Sequence, residues 1–271
     1  MTAPGYHPAA MAPPQRPPMS FPRAMQRTPF PKLVLVEFRK LSGTLSDRIL
    51  LIVGPLVLIG ANVLLFLSLD SASDMASARD QITPTFYLLR IGHVIIHAAL
   101  IKLIAGEWQH RAAQPTLLAQ PSRARYFLAQ ATVVFLLWLF CATLQTVLTL
   151  TLSPVAAGNS GVVYLLSYRV GWAIGVCFLG SLLTMLVALT VAMLVPNAAG
   201  ALAIYFATVP AMLTISGLAP KVFAWFDPST PAAALATLSD IDGPAPSIVS
   251  LLIWLGLLGF AGYRVSRRDL A

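Results

Sequence analysis

The sequence predicts an all-α membrane protein with six transmembrane helices, and two observations carry this prediction. Of the 271 residues, 57% are hydrophobic and only 10% are charged, whereas a soluble domain usually carries about 25% charged residues. The apolar residues also fall into six runs of roughly the 20 residues that a helix needs to cross a bilayer. These runs cover approximately residues 49–69, 85–105, 128–152, 170–195, 198–218 and 247–265.

The amino-terminal segment, residues 1–31, is predicted to be a disordered tail. It contains nine prolines, and proline both removes a backbone donor and breaks helices. A segment of this composition buries too little apolar surface to fold. The membrane domain is therefore expected to occupy residues 32–271.

Residues 32–46 are predicted to form an amphipathic helix on the membrane surface. Val34, Phe38, Leu41 and Leu45 recur at helical spacing and would form one apolar face. A basic polar face opposite suits the surface of a membrane. The residues assigned mostly to that polar side are Lys32, Glu37, Arg39, Lys40 and Gly43.

The second apolar run contains ionisable residues. At 100° per residue, Arg90, His93 and His97 share one face within about 60°, and Lys102 lies near enough to the end of the run to snorkel. Because charges are costly in lipid, this face should contact the protein interior or a wet cavity. Three interpretations remain open: interhelical hydrogen bonding, a substrate path, and ligation of a metal or haem by His93 and His97.

Two connecting segments have distinct character. Residues 106–127 form a polar, basic loop between the second and third runs, whereas residues 219–246 contain the short apolar pieces PKVFAWF and PAAALATL. These pieces are too short to span, so they predict short outer-leaflet helices, broken at Pro228 and Pro231. Pro196 and Asn197 alone separate the fourth and fifth runs, which predicts a tight hairpin.

The charge distribution predicts the orientation. With six spans, thirteen Lys and Arg residues fall on the side of both termini and three on the other, which is a strong positive-inside bias. Both termini and the loop 106–127 are therefore expected in the cytoplasm. This distribution accounts for the net charge of +8, and no basic-aromatic groove accompanies it, so nucleic acid is not an expected partner.

Enzymatic motifs are missing from the sequence. It has no GxxxxGK[ST] phosphate-binding loop, no zinc-type Cys/His spacing and no nucleophile elbow. Cys141 and Cys177 lie inside apolar runs and indicate neither a disulfide nor a metal site. The chain by itself is not expected to be an enzyme, and no metal or other cofactor is expected in it.

Three segments carry a family resemblance. They are VEFRKLSGTLSDR before the first span, GEWQHRAAQPTLLAQPSRARYFLAQ after the second, and the basic ending GYRVSRRDLA. In this respect residues 32–271 resemble the membrane subunit, or permease, of type-2 ATP-binding cassette (ABC) transporters. The chain departs from the usual family pattern at Arg111-Ala112 and at Gln130.

The resemblance implies a partner and a mechanism. Such permeases act as pairs, here a homodimer or a pair with a close paralogue, together with two copies of a separate subunit that binds ATP and Mg²⁺. The loop after the second span would supply a coupling helix within residues 107–120, and the amino-terminal helix would also touch the ATPase. The implied coupling residues are Glu107, Trp108, Arg111, Leu117, Leu118 and Arg123, and those of the interfacial helix are Glu37, Phe38, Arg39 and Lys40. The alternative for this loop is an ordinary solvated positive-inside loop.

The function implied is export of an amphipathic or hydrophobic substrate, such as a drug, peptide or lipid, across a bacterial cell membrane. Arg90, His93 and His97 would then lie on the substrate path and accept an anionic head group. Two other functions compete with this one. The first is a membrane redox or metal protein that uses His93 and His97, and the second is a membrane anchor or sensor that transports nothing.

Overall fold

The computed structural model describes residues 28–69, 71–109, 123–236 and 243–266. Within these ranges, six helical segments are long and apolar enough to cross a membrane, which confirms the predicted all-α, six-span class. The segments are Leu45–Leu67, Ala78–Glu107, Arg125–Asn159, Leu166–Leu194, Ala198–Leu218 and Ala245–Val265. The predicted tail falls almost entirely on residues 1–27, which lie outside the described ranges.

Ten α-helices make up the described chain. They are α1 (Phe30–Leu41), α2 (Leu45–Leu67), α3 (Ala78–Ile91), α4 (Val94–Gln109), α5 (Arg123–Asn159), α6 (Val170–Leu194), α7 (Ala198–Leu218), α8 (Pro220–Phe223), α9 (Thr230–Leu235) and α10 (Ala245–Ser266). The second span comprises α3 and α4, with an interruption at Gly92 and His93. The third span is longer than predicted, because α5 begins at Arg123 and ends at Asn159.

The amino-terminal helix differs from its prediction in length and in orientation. α1 ends at Leu41, and Thr44 then starts α2 with a capping box that it shares with Asp47. The buried face of α1 consists of Leu33, Glu37 and Leu41, whereas Phe38 is 51% exposed. The assignment of Glu37 to the outer polar face was therefore wrong. Residues four apart share a helix face, and an ion pair described below makes an acidic residue acceptable on the inner one.

The two connecting predictions fare differently. The hairpin between the fourth and fifth spans is confirmed, since α6 ends at Leu194 and the Asn197 side chain caps α7 by accepting from the Gly200 amide at 3.1 Å. Short helices occur in both apolar pieces of the later connection, as α8 and α9. Pro231, however, lies in the first turn of α9 rather than breaking a helix. The first turn tolerates proline because its amide needs no helical partner.

The second and fourth spans form the centre of the bundle. Their apolar windows are the most buried of the six, and those of the first, fifth and sixth spans are the least buried. α4 packs on α2, α6 and α7, so the second span contacts the first, fourth and fifth spans. We call the end of the bundle that carries α1 and the α4–α5 connection the basal side, and the end that carries α8 and α9 the distal side.

Candidate functional site

A charged cluster joins α1 to the second span on the basal side. Lys40 Nζ lies 2.7 Å from Glu37 Oε1 and 2.5 Å from Glu107 Oε1. The other oxygen of Glu107 accepts from Gln130 Nε2 at 3.5 Å. Glu37 and Glu107 are only 1% and 4% exposed, and Lys40 is 24% exposed. We call Glu37, Lys40, Glu107 and Gln130 the basal cluster.

Local structure explains why these residues meet. Glu37 and Lys40 are three positions apart on α1 and lie on neighbouring parts of one helix face. Glu107 comes from the last turn of α4, and Gln130 from the first turns of α5. The ring of Tyr126, also on α5, lies with its centroid 5.5 Å from Lys40 Nζ. Three helices therefore converge on one ammonium group, at the two ends of the segment 110–122.

Lys40 is a cation at neutral pH. Burial by itself would lower the pKa of Lys40, but the ion pairs with Glu107 and Glu37 outweigh burial, and the net pKa is raised above its usual value. An opposite charge at this distance favours the charged form. Since one ammonium serves two buried carboxylates, the cluster depends on Lys40 more than on either acid.

A second ion pair lies nearby on the same side. Lys102 Nζ lies 2.5 Å from Asp47 Oδ1 and donates to Ser46 Oγ at 2.9 Å, so the residue that was expected to snorkel is paired with the first turn of α2. A cavity of about 290 Å³ separates this pair from the basal cluster, and its lining includes Lys40, Asp47, Lys102 and Glu107. The base of the second span is thus attached to both α1 and α2.

The predicted coupling residues fall into three groups. Glu107 is buried in the basal cluster, so it contacts α1 rather than presenting a free surface. Trp108 belongs to α4 and Arg123 to α5, but the structure describes only their backbone and not their side chains. The remaining members, Arg111, Leu117 and Leu118, lie outside the described residues altogether.

Of the interfacial-helix residues, two face outward and two face inward. Phe38 and Arg39 are exposed on α1, and they are the members of this set that another protein or lipid can reach directly. Glu37 and Lys40 belong to the basal cluster. The sequence pattern did not separate the surface pair from the internal pair.

The ionisable residues of the second span have separate environments. Arg90 Nη2 forms an ion pair with Asp227 Oδ2 at 2.8 Å, and its Nη1 lies 3.5 Å from Ser216 Oγ. Asp227 lies between α8 and α9, and its other carboxylate oxygen accepts from the amide and hydroxyl of Ser229. Arg90 therefore ties the distal half of the second span to the segment before the sixth span.

The two histidines lie deeper in the bundle. His97 Nδ1 is hydrogen-bonded to Tyr205 Oη on α7 at 2.7 Å, and the His93 and His97 ring centroids are 5.8 Å apart. Both rings are buried, and neither nitrogen of His93 has a hydrogen-bond partner among the described residues. The described ranges also contain no group of three His, Cys, Asp or Glu residues arranged to hold a metal ion.

His93 occupies the interruption of the second span. The Gly92 N–H donates to the Leu88 carbonyl, and the His97 N–H donates to the His93 carbonyl. The helix α4 begins only at Val94. Close packing accompanies the interruption, because a Cβ atom on Gly92 would lie 2.5 Å from Leu58 Cδ1. Gly92 itself keeps helical dihedral angles, with φ −66° and ψ −29°, so the interruption is slight at that residue.

A large cleft opens on the distal side between α3, the end of α7, α8 and α9. Its volume is about 810 Å³, within the range of small-molecule sites. The Arg90–Asp227 pair lines this cleft and also a small cavity of about 30 Å³ that Tyr205 and Thr184 border. That cavity has room for about one or two water molecules. We call the larger space the distal cleft.

Sequence reasoning missed several polar partners. Asn62 on α2 and Gln145 on α5 exchange two amide hydrogen bonds, of 2.9 and 3.2 Å, inside the bundle. Gln145 also donates to Thr149, which is 2.9 Å from Thr85. Amides inside apolar runs were a visible signal, because a buried amide needs a partner. Asp227 gave no such signal because it lies in the connection between two short helices. Tyr205 gave none because it is a single tyrosine within an apolar run.

Comparison with known proteins adds no relative. No protein-family model, no curated protein and no solved structure matches this chain.

Proposed function

We propose that this chain is the transmembrane permease subunit of an ABC transporter, and that it exports an amphipathic or hydrophobic substrate such as a drug, a peptide or a lipid. The observation that carries the proposal is the basal cluster. It joins a peripheral amphipathic helix to the most buried span at the point where the segment 110–122 leaves that span. A protein that docks there could displace the second span, which runs through the whole bundle.

The length of the second span supports this transmission. Ala78–Glu107 is a 30-residue segment, and a helix of that length extends about 45 Å. Its basal end holds Glu107 and its distal half holds Arg90, which lines the distal cleft. A displacement of α1 or of the segment 110–122 would therefore alter the Arg90–Asp227 pair at the opposite side. Packed interiors transmit such displacements because they have little free volume.

The energy source is proposed to be a separate subunit. The sequence has no phosphate-binding loop of its own, so ATP and Mg²⁺ belong to two copies of a partner ATPase. A second copy of this chain, or a close paralogue, completes the transporter in a bacterial cell membrane. The positive-inside bias supports placing the basal side in the cytoplasm, where such an ATPase would bind.

Co-purification with the partner tests the assembly. The chain is co-expressed with the ABC ATPase encoded beside its gene, and the complex is purified through a tag on this chain. We expect stable association that the double substitution Trp108→Ala/Leu118→Ala weakens, while Lys32→Ala, at an exposed site on α1, leaves it intact. If wild type fails to retain any ABC ATPase, the permease proposal is wrong.

ATP hydrolysis tests the transmission. We expect hydrolysis by the complex to respond to a panel of hydrophobic drugs, peptides and lipids. Glu107→Gln should reduce that response while the ATPase still co-purifies, because the substitution weakens the link between α1 and the second span. If wild type associates but no compound changes hydrolysis, the chain is instead an anchor or sensor.

A further inference from the structure

We propose that the distal cleft is a binding site for an amphiphile with a phosphate head group, and that Lys221 is the residue that recognises the phosphate. Binding at the distal cleft requires only this chain. That such an amphiphile is the exported cargo rests on the function proposed above.

The charged side chains that line the cleft, counted over the described residues, are more often basic than acidic. Five ionisable side chains line it, namely Arg79, Arg90, Lys221, Asp80 and Asp227, so the lining carries a net positive charge. Asp227 is occupied by Arg90 and Ser229.

The second acid of the cleft is also engaged locally. Asp80 is the acidic member of the α3 capping box, where it accepts from the amide and hydroxyl of Ser77 at 2.9 and 2.6 Å. Lys221, by contrast, is exposed and forms no ion pair or side-chain hydrogen bond with a described residue. An ammonium in this position attracts an anion, and a phosphate offers it several acceptor oxygens.

The surroundings of Lys221 favour an amphiphile over a free anion. Phe86 and Phe223 supply aromatic walls to the cleft. Leu218 and Val222, on either side of Pro220 and Lys221 in the chain, are 80% and 67% exposed. Such apolar surface at the end of spanning helices faces lipid. A head group in the cleft would therefore have exposed apolar side chains close to Lys221 in the chain, at Leu218 and Val222, along which its acyl chain can lie.

The volume also fits. At about 810 Å³, the cleft exceeds what a phosphate alone requires and accommodates a glycerol phosphate head with part of an acyl chain. The Arg90–Asp227 pair forms its inner boundary, because the same two residues line the small cavity that leads towards Tyr205. The head group would therefore rest against a closed ion pair rather than enter the bundle.

Thiol protection measures occupancy. Cys141 and Cys177 are both buried, so a water-soluble maleimide should react mainly with a cysteine introduced into the cleft. Tyr87, which is 52% exposed, provides that position as Tyr87→Cys. Full-length protein in phosphatidylcholine nanodiscs is titrated with oleoyl lysophosphatidate. Mono-oleoylglycerol supplies the chain without the charge, and glycerol 3-phosphate supplies the head without the chain.

We expect lysophosphatidate to slow labelling at position 87 and to leave labelling of Tyr168→Cys, an exposed distal position outside the cleft, unchanged. Adding Lys221→Ala to the Tyr87→Cys protein should raise the half-protecting concentration by about fivefold or more, as expected for loss of a charge-assisted contact. Lys221→Arg should restore protection. Arg169→Ala removes the same charge from the distal side outside the cleft and should have no effect.

Three results would overturn the proposal. Equal protection by mono-oleoylglycerol would mean that the phosphate is not recognised, and equal protection by glycerol 3-phosphate would mean that the acyl chain is not. Unchanged protection after Lys221→Ala would remove Lys221 from the site. Because no ATPase is present in this assay, its failure leaves the permease proposal standing, and failure of co-purification leaves this site standing.

Discussion

Removing Lys40 should destabilise the protein more than removing either of its acidic partners. In Lys40→Met, the two carboxylates lose their shared cation while they remain buried. Their nearest oxygens lie 2.7 and 2.5 Å from the same nitrogen, and so no more than about 5.2 Å from each other. With an effective dielectric constant of about 20, two unit charges at that distance repel by about 3 kcal/mol.

The partner substitutions should be milder. Glu107→Gln leaves Lys40 paired with Glu37 at 2.7 Å, so we expect a loss of about 1 kcal/mol, as for a single hydrogen bond. The triple variant Glu37→Gln/Lys40→Met/Glu107→Gln has no buried charge in the cluster, and it should recover most of the loss caused by Lys40→Met. Replacement of buried ion pairs by neutral groups is often close to neutral.

Thermal unfolding in detergent measures these differences, with the five tryptophans of the chain as the fluorescence signal. A change of 1 kcal/mol shifts Tm by roughly 2–4 °C for soluble chains of 150–250 residues, so Lys40→Met should lower Tm by roughly 6–12 °C on that scale. Lys32→Met, on the exposed face of the same helix, is the matched control.

A different order of stabilities would contradict this prediction. Lys40→Met must be less stable than Glu107→Gln, and the triple variant must be more stable than Lys40→Met. If Lys40→Met unfolds at the same temperature as Lys32→Met, the three charged groups do not hold α1 to the second span. The proposed transmission from α1 would then lose its structural basis.

Three further predictions concern packing, a hydrogen bond and an ion pair. Gly54→Val should destabilise the fold by about 1–3 kcal/mol through overpacking and so lower Tm. A Cβ at Gly54 would lie 2.5 Å from Ile96 Cγ1 and 3.3 Å from Ile96 N. Gly60→Val on the same helix is the control, because a Cβ there meets nothing within 4 Å. Tyr205→Phe should lower the free energy of unfolding by about 1 kcal/mol, because it removes the hydrogen-bond partner of His97 Nδ1. Thermal unfolding measures this loss against the exposed-site control Tyr168→Phe, and an unchanged Tm would contradict that hydrogen bond. Arg90→Ala should lower the free energy of unfolding by about 3–5 kcal/mol, because it leaves the buried Asp227 carboxylate without its ion-pair partner. If the ion pair is the reason, a double variant that also carries Asp227→Ala should be more stable than Arg90→Ala alone.

Much of the architecture was predictable from local patterns. The fifth span begins and ends at the predicted residues, Ala198 and Leu218, because a capping Asn and an uninterrupted apolar run mark both limits. Agreement was poorer where a helix extends into polar sequence. α5 begins at Arg123, well before its apolar run, since backbone hydrogen bonds continue a helix whether or not its side chains face lipid.

The candidate sites were predictable in part. Charged residues in spans must be paired or in contact with a cavity, so Arg90 and Lys102 stood out, and both have carboxylate partners. The identity of the partners was not predictable. Asp227 is 137 positions from Arg90 in the chain, and Glu107 is 67 positions from Lys40. Periodicity describes one helix at a time and contains no information about which faces of distant helices meet.

The sequence by itself determined the class of this protein: an all-helical chain with six spans, whose asymmetric positive charge predicts its orientation. Hydropathy and helix periodicity suffice for this, because lipid imposes the same requirement on every span. Only the tertiary structure decided that Glu37 faces inward, that one lysine joins two buried acids across α1 and α4, and that Lys221, at the distal cleft, has no ion-pair partner among the described residues. These facts depend on which charges come within a few ångströms of one another, and that distance is set by the packing of whole helices rather than by any one segment.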